Sequence, residues 1–386
     1  MKPEELFGND YEAFCEIDPF NPKNEVEGWI SRKPNEYYGA LLITRVNGRT
    51  VAPQLVMGSP KMHYPFVSRA DGTRNYTFPS AKSIESYVKL DGTNVLAYMY
   101  EAGGWQFMSF KTRLRPFVRN GRFGAFLGMW NEVARAHFDL IRDAMRRHTC
   151  NLSFEMYGAR NRHLIVYEVP LAFALLFGVA NTGRIMSPIA LGALSWREAK
   201  AKPGFVEAWH LPVVPLYERL DRDYVFRYEE TRKDMEAGLK PVEENYYAGD
   251  EGAVWYLLSH DGRCIQYKCK PESIETEHWK GGMSKNSVIA TCWNAYENTD
   301  ELTVALIEQL LLEEFDARSI ELGRNMIEEC IAFVAGEMVF RTRVLEAYRA
   351  TGLNVLLDKA GTMRALSEQF ARSEMKKVHS LIIGFA

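Results

Sequence analysis

Short apolar runs fill the first two thirds of the chain. Residues 37–57 contain two β-type runs around Asn47-Gly48, a dipeptide typical of a tight hairpin. From residue 86 to about 270, further runs such as SYVKL, NVLAYMY, WQFMSF, AVWYLLS and CIQYKC predict strands. One helix is predicted among them at 126–148, from apolar residues at helical spacing: Leu127, Trp130, Val133, Ala134 and Phe138.

The pattern becomes helical after Pro271. Residues 299–315 start with a Thr-Asp cap and then place leucines four residues apart on one face of a predicted helix. Two further helical stretches follow at 325–352 and 362–382. We expect their apolar stripes to form a core or a contact between subunits rather than a cofactor pocket.

These patterns predict an α+β protein with three parts. A β-rich N-terminal accessory module is expected over residues 1–75, and a sheet-rich body over residues 76–272. A helical C-terminal domain is expected over residues 273–386.

Composition is that of an ordinary soluble protein. The chain has 386 residues, of which 47% are hydrophobic and 25% are charged. It contains no apolar run of about 18 residues, the length that a membrane-spanning helix needs. Its first residues carry acids where a signal peptide needs a basic start, so we expect a cytoplasmic protein.

The six cysteines are scattered without a CxxC pair, which argues against a zinc site or a disulfide framework.

The net charge of −3 does not indicate a nucleic-acid binder. Residues 111–122 nevertheless hold five cations and no acid, a pattern typical of a solvated face or of contacts to a nucleic-acid backbone. These cations are Lys111, Arg113, Arg115, Arg119 and Arg122.

Candidate chemistry begins at Lys89, which ends a β-type run and is followed by Leu90 and Asp91-Gly92. A lysine is a poor nucleophile at neutral pH because its unperturbed pKa is about 10.4. Nearby cations, a metal ion or desolvation are needed to disfavour the charged amine. Taken alone, the four residues fit equally well a strand end followed by a turn.

Later segments supply the residue types that an activated lysine needs. Glu155 lies in a β-type run before a glycine, and FALLFGV at 173–179 is an aromatic-bearing apolar run. Glu251 precedes a glycine and another β-type run. Lys268 and Lys270 are two positions apart, which puts both ammonium groups on one face of a strand, where they can bind a phosphate.

In this order, KLDGTN, FEMYGARN, FALLFGV, EGAVW and YKCKP resemble motifs I, III, IIIa, IV and V of the covalent nucleotidyltransferases. This superfamily comprises ATP-dependent DNA and RNA ligases, NAD-dependent ligases and mRNA capping enzymes. The resemblance covers residues 85–271. It implies a nucleotidyltransferase catalytic domain with ATP-grasp-like antiparallel sheets.

The resemblance implies roles for residues around the nucleophile and the nucleoside. Lys89 would attack the α-phosphate of ATP and form a lysyl-AMP. Asp91 and Gly92 would form the loop beside it, with the acid orienting the lysine and metal-bound water. Glu155 would receive the ribose, and Phe177 would stack on adenine unless it is simply part of the core.

Further roles concern the phosphates. Glu251 would help to hold Mg²⁺, or Mn²⁺ in its place. Lys268 and Lys270 would neutralise the α-phosphate. Arg113, and with less support Lys111, is expected to contact the nucleotide or a phosphate. Asn94 is a candidate contact to the nucleotide or to the nick, and Lys61 is a candidate contact to the nucleic-acid backbone.

The helical C-terminal part points to one branch of the superfamily. DNA ligases and capping enzymes follow motif V with a small β-barrel, whereas RNA ligases commonly continue into helices. The chain resembles archaeal-type homodimeric RNA ligases most. The resemblance therefore implies a homodimer that seals RNA 5′-phosphate and 3′-hydroxyl ends and can circularise single-stranded RNA. It also implies that the helical domain over residues 273–386 serves in dimerisation, in RNA binding or in both.

Other functions stay open at this point. A DNA ligase or a GTP-dependent capping enzyme would carry similar motifs, and a non-catalytic RNA-binding protein could retain the fold. NAD is not expected as the donor because no nicotinamide-recognising segment is evident before Lys89.

Overall fold

The structure is a computed structural model. It describes residues 1–68, 74–121, 125–193, 211–220, 224–243, 246–271, 283–299, 301–312, 315 and 317–385. The strands described are β1 (Tyr11–Ile17), β2 (Glu25–Ser31), β3 (Leu41–Val46), β4 (Arg49–Val56), β5 (Phe66–Ser68), β6 (Arg74–Tyr76), β7 (Ser83–Val88), β8 (Gly92–Ala102), β9 (Trp105–Lys111), β10 (Cys150–Tyr157), β11 (Ala172–Ala180), β12 (Ile185–Met186), β13 (Leu216–Leu220), β14 (Lys240–Glu243), β15 (Tyr246–Ala248), β16 (Ala253–Leu258) and β17 (Cys264–Cys269). The α-helices described are α1 (Pro3–Phe7), α2 (Phe126–Ala134), α3 (Phe138–His148), α4 (Tyr224–Gly238), α5 (Lys285–Tyr296), α6 (Val304–Leu311), α7 (Ala317–Leu322), α8 (Arg324–Thr351), α9 (Lys359–Ser367) and α10 (Met375–Ile383).

Antiparallel sheets and helices form a mixed α and β fold, as the α+β prediction requires. An N-terminal four-stranded sheet has the order β1-β2-β3-β4. The body contains a five-stranded sheet, β12-β11-β10-β8-β9, and a four-stranded sheet, β13-β7-β16-β17. The hairpins β5-β6 and β14-β15 complete the strands described.

The predicted hairpin at 37–57 is confirmed. Strands β3 and β4 pair antiparallel, with Val46 opposite Arg49. The two turn residues have positive φ angles, 55° at Asn47 and 70° at Gly48. This is the backbone geometry of the tight turn whose twist matches that of the paired strands.

The predicted helix at 126–148 is two helices rather than one. A 3₁₀ turn over Arg135–His137 separates α2 from α3. Trp130 of α2 is fully buried and packs against Phe110, Phe154 and Phe173 of the five-stranded sheet, with ring centroids 5.3, 5.8 and 5.6 Å away. The helical pair therefore covers one face of that sheet.

Helix α4 was not predicted from the sequence, which indicated a single helical region between residues 86 and 270. Its buried positions are Tyr228, Arg232 and Met235. An arginine in the middle of the buried stripe breaks the apolar periodicity that marks a helix. Arg232 Nε donates to the carbonyl of Lys270 at 3.0 Å, and the Tyr228 hydroxyl donates to the carbonyl of Lys268 at 2.6 Å, so α4 fixes the end of β17.

Every element described between residues 285 and 383 is a helix, in agreement with the helical C-terminal prediction. Helix α8 has 28 residues and packs against α5, α6, α9 and α10. The helix expected from 299 begins at Val304, because the Thr303 side chain caps it by accepting from Leu306 N at 3.2 Å. Asp300 of the expected cap lies outside the described residues, and the last predicted helix is divided into α9 and α10.

The predicted domain boundaries stay predictions. The boundary expected between residues 75 and 76 falls inside β6, and the one at 272–273 lies outside the residues that the structure describes. Within the described part of the chain, no helix has both the length and the apolar character needed to cross a bilayer.

Replacing Trp130 by alanine tests the packing of α2 on the sheet. Trp130→Ala should lower the free energy of unfolding by about 3–5 kcal/mol, because it leaves a cavity among three aromatic rings. Urea unfolding followed by circular dichroism measures this change. Trp105→Ala is the matched control, since Trp105 is 74% exposed, and should change stability by no more than about 0.5 kcal/mol. Equal effects of the two substitutions would contradict the packing described.

Candidate active site

A cavity of about 530 Å³ lies between the two sheets of the body and the helical C-terminal segment. All nine site residues predicted from the sequence line it: Lys89, Asp91, Gly92, Arg113, Glu155, Phe177, Glu251, Lys268 and Lys270. Lys61 and Asn94 line it as well. The fold thus brings together residues from segments as far apart as positions 89 and 270.

Lys89 lies where the chain passes from one sheet to the other. Strand β7 of the four-stranded sheet ends at Val88, and β8 of the five-stranded sheet begins at Gly92. The Lys89 backbone N–H donates to the carbonyl of Gly252 at 2.8 Å. A Cβ atom at Gly92 would lie 2.2 Å from the Met156 carbonyl oxygen, so β10 can approach this crossing only because residue 92 is glycine.

The carboxylate of Glu251 holds two lysines at once. One oxygen pairs with the Lys89 ammonium and accepts a hydrogen bond from it, although the residues are 162 positions apart. The other oxygen is 2.9 Å from Lys270 Nζ. Burial alone would raise the pKa of Glu251, but Lys270 and Lys89 outweigh it and lower that pKa to about 2. Glu251 is therefore ionised at neutral pH.

The ion pair refines the expectation that positive charge surrounds Lys89. The direct partner of the Lys89 ammonium is an acid, and Lys270 is connected to it through that acid. Lys268 lies on β17 opposite Val254, with its ammonium 5.2 Å from the centre of the Tyr64 ring. Both lysines of the pair nevertheless line the same cavity as Lys89.

Asp91 connects the segment around Lys89 to residues 164–165. Its Oδ2 accepts from the backbone N–H groups of Leu164 and Ile165 at 2.6 and 2.7 Å, and its own N–H donates to the Tyr167 hydroxyl at 2.8 Å. Burial and the nearby Glu251 raise the pKa of Asp91, while the amide hydrogen bonds act against that rise. The hydrogen bonds give Asp91 a positioning task beside Lys89.

Glu155 and Phe177 lie on adjacent strands of the five-stranded sheet. Glu155 of β10 is opposite Asn94 of β8, and burial raises its pKa to about 8. Asn94 Nδ2 donates to Ser153 Oγ and Phe154 O at 2.9 and 3.1 Å, so its amide also holds β10 against β8. Phe177 of β11 is 5% exposed and meets the Tyr256 ring edge-on at 6.5 Å. Its ring belongs to the core and also lines the cavity.

The basic stretch at 111–122 is not a uniform solvated face. Lys111 is 1% exposed and donates to the carbonyls of Thr112 and Arg113 at 2.7 and 2.9 Å; burial lowers its pKa well below the ordinary range. The expectation that Lys111 contacts a phosphate is therefore wrong, because its side-chain nitrogen is buried and donates to two backbone carbonyls. Arg119 forms an ion pair with Glu16. Arg122 lies outside the described residues.

The cavity's donor set fits a divalent cation held mainly by a nucleotide. Glu251 offers an ionised carboxylate, but both of its oxygens already face lysines. Among the described residues, the only cluster with three candidate metal ligands is that of Cys15, Glu25 and Glu27 on β1 and β2, none of which lines the cavity. One carboxylate with phosphate oxygens and water suits Mg²⁺, which usually keeps several waters.

Sequence reasoning missed residues that link the site to the helical segment. His163 is buried, with Nδ1 4.0 Å from Asp91 Oδ1 and Nε2 3.7 Å from Glu297 Oε1, and its ring stacks on Trp293. Burial lowers the pKa of His163 to about 3, so it is neutral at pH 7. His163 lies two residues after the FEMYGARN motif, whereas Glu297 follows α5 and has no local signal that could have pointed to this site.

Comparisons with protein-family models and with curated proteins find no match. Among solved structures, the chain is similar to an archaeal ATP-dependent RNA ligase, with 14% identity and a TM-score of 0.41 over 99% of this chain and 95% of that one. A Naegleria gruberi RNA ligase has 12% identity and a TM-score of 0.32 over 70% of this chain and 98% of its own. An Aquifex aeolicus protein assigned as an ATP-dependent DNA ligase has 12% identity and a TM-score of 0.39 over 97% of this chain and 79% of its own. All three are named as ligases.

The raised pKa of Glu155 predicts a pH-dependent stability. Between its ordinary value of 4.5 and about 8, the folded protein keeps a proton that the unfolded chain has lost. Stability should therefore fall as the pH rises through this window. Glu155→Gln removes the effect, so the variant should be more stable than wild type by about 1 kcal/mol or more at pH 8, and by less at pH 5. Thermal unfolding without nucleotide measures the difference, and a difference independent of pH would contradict this assignment.

Proposed function

We propose that this protein is an ATP-dependent RNA ligase that seals 5′-phosphate and 3′-hydroxyl ends through a lysyl-AMP on Lys89. The observation that carries the proposal is the convergence of five motif-bearing segments on one cavity around this lysine. Lys89, Glu251 and Lys270 form one ion-paired group there. A merely RNA-binding protein has no need for a half-buried lysine held in this way.

In the first step, Lys89 Nζ bonds to the α-phosphorus of ATP while the bond from that phosphorus to pyrophosphate breaks. The amine must lose its proton before it can attack, and this proton passes to water, to which the Lys89 side chain is 18% exposed. Glu251 is a poor base because its pKa is about 2, so its task is to orient Lys89 rather than to accept the proton. Lys268 and Lys270 stabilise the negative charge that develops on the phosphoryl oxygens.

Recognition of the nucleotide involves the remaining cavity residues. Glu155 would accept a hydrogen bond from the ribose, and Phe177 would cover one face of the adenine. Arg113 supplies a fixed positive charge at the cavity wall. A divalent cation bound by Glu251 and the nucleotide phosphates would neutralise part of the triphosphate charge.

RNA is proposed as the acceptor because of the segment that follows the motifs. DNA ligases and capping enzymes continue into a β-barrel, whereas the described residues from 285 to 383 are helical. AMP would pass from Lys89 to the RNA 5′-phosphate, and a 3′-hydroxyl would then attack and release AMP. Circularisation of single-stranded RNA and a homodimer formed through the helical segment stay predictions.

Covalent labelling tests the first step. Wild-type protein incubated with Mg²⁺ and α-labelled ATP should acquire acid-labile label, and Lys89→Ala should lose at least about 99% of it, since the attacking atom is gone. Denaturing electrophoresis measures the label. Lys240→Ala is the matched control, because Lys240 is an exposed lysine outside the cavity, and it should label like wild type. Labelling by GTP alone would instead indicate a capping-type enzyme.

A sealing assay tests the acceptor. With ATP and Mg²⁺, a 5′-phosphorylated RNA should give an adenylylated intermediate and a sealed product, and the same RNA without its 5′-phosphate should give neither. Denaturing gels and exonuclease resistance distinguish linear from circular products. Sealing of the equivalent DNA but not of RNA would make the protein a DNA ligase, and label on the protein without any sealing would contradict the ligase proposal.

A further inference from the structure

Residues 112–114 form a short segment after β9 that presents Arg113 to the cavity. The segment is held from the helical side by Asn298, which follows α5. Asn298 Oδ1 accepts from Thr112 Oγ1 and from Leu114 N, both at 2.9 Å. Asn298 Nδ2 donates to the carbonyl of Asn294, in the last turn of α5, at 3.0 Å. One amide therefore bonds on both sides of Arg113 and also to its own helix.

The same segment is held from the opposite side by two other parts of the chain. The buried Lys111 ammonium donates to the carbonyls of Thr112 and Arg113. In the N-terminal module, a Cβ at Gly39 would lie 2.0 Å from the Arg113 carbonyl oxygen, so the module's backbone packs directly against the segment. The Arg113 guanidinium lies 5.7 Å from the centre of the Tyr38 ring.

The backbone around Arg113 is thus fixed while its side chain keeps donor capacity. Arg113 Nε is buried and has no hydrogen-bond partner among the described residues. A buried donor without a partner costs free energy, which a ligand oxygen in the cavity would recover. The side chain's reach into the cavity depends on where the backbone of residues 112–114 is held.

We propose that Asn298 is a positioning residue through which the helical C-terminal segment sets the place of Arg113 in the nucleotide cavity. The inference rests on the proposed function, because it takes ATP as the ligand. Asn298 itself acts through Arg113. Removing its acceptor oxygen leaves Thr112 Oγ1 and Leu114 N without this partner, so the segment gains freedom and Arg113 no longer meets the nucleotide in a fixed geometry.

ATP affinity, measured by titration calorimetry with Mg²⁺, tests the proposal. All variants are made in a Lys89→Ala chain, which cannot form the covalent adduct, so binding is measured apart from chemistry. Asn298→Ala should weaken ATP binding about tenfold, equivalent to about 1.4 kcal/mol. Thr112→Val keeps the side-chain shape and removes one of the two bonds to Asn298 Oδ1, together with the 3.4 Å bond from Thr112 Oγ1 to the Glu297 carbonyl. It should weaken ATP binding by about threefold, or about 0.65 kcal/mol.

The double variant separates positioning from a direct or general structural effect. In an Arg113→Ala background, Asn298→Ala should weaken ATP binding by no more than about twofold, because the residue through which it acts is gone. An undiminished tenfold effect in that background would overturn the proposal, as would unchanged affinity in both Asn298→Ala and Thr112→Val. If Asn298→Ala does not fold, Thr112→Val alone decides by the same comparison.

Asn354→Ala is the matched control in the helical segment. Asn354 Oδ1 also accepts from backbone N–H groups, those of Leu356 and Leu357, but in the loop after α8 and away from the cavity. This variant should bind ATP like its parent, and a tenfold loss here would overturn the proposal by showing a general effect of the segment. Failure of the proposed function gives a different result, since it leaves ATP bound but wild-type protein unlabelled.

Discussion

A single buried carboxylate holds together the charged group at the wall of the cavity. Glu251 precedes β16, and its two oxygens face Lys89, at the crossing between sheets, and Lys270, just after β17. Loss of one partner from a buried group of this kind leaves a charge without compensation and costs about 3–5 kcal/mol. The pairing of β7, β16 and β17 in one sheet is therefore also what places three charged side chains beside the cavity.

The motif-bearing segments could be predicted from the sequence because each combines a β-type run with a glycine or a charged residue at its end. Lys89 and Glu251 were identified in this way, and the fold brings both to one cavity. The pairing between them was not evident, because the sequence gives residue types but not the register of β7 and β16. Nearby cations, a metal ion or desolvation were expected to disfavour the charged amine, and the structure shows an acid directly against it.

Other features could not be predicted for identifiable reasons. Arg232 lies in the buried stripe of α4 and conceals its helical period. Lys111 is a buried lysine whose side-chain nitrogen donates to two backbone carbonyls. Nothing in a run of cations distinguishes such a residue from its exposed neighbours. Asn298 contacts Thr112 across 186 positions, a distance at which local patterns carry no information.

The helical segment is part of the site rather than an appendage to it. Asn294, Gln309 and Leu310 line the same cavity as Lys89, and Glu297 lies beside His163. Any movement of this segment would change both the cavity wall and the support of Arg113.

The central claim is that Lys89, held by Glu251, is the nucleophile whose Nζ atom bonds to the α-phosphorus of ATP. Peptide mapping by tandem mass spectrometry, after incubation of the wild-type protein with ATP and Mg²⁺ and digestion at neutral to alkaline pH, locates any adenylate on a particular side chain. The account predicts AMP on Lys89 alone. Adenylate on Lys268 or Lys270 with Lys89 unmodified, or no adenylate where calorimetry shows bound ATP, would contradict it.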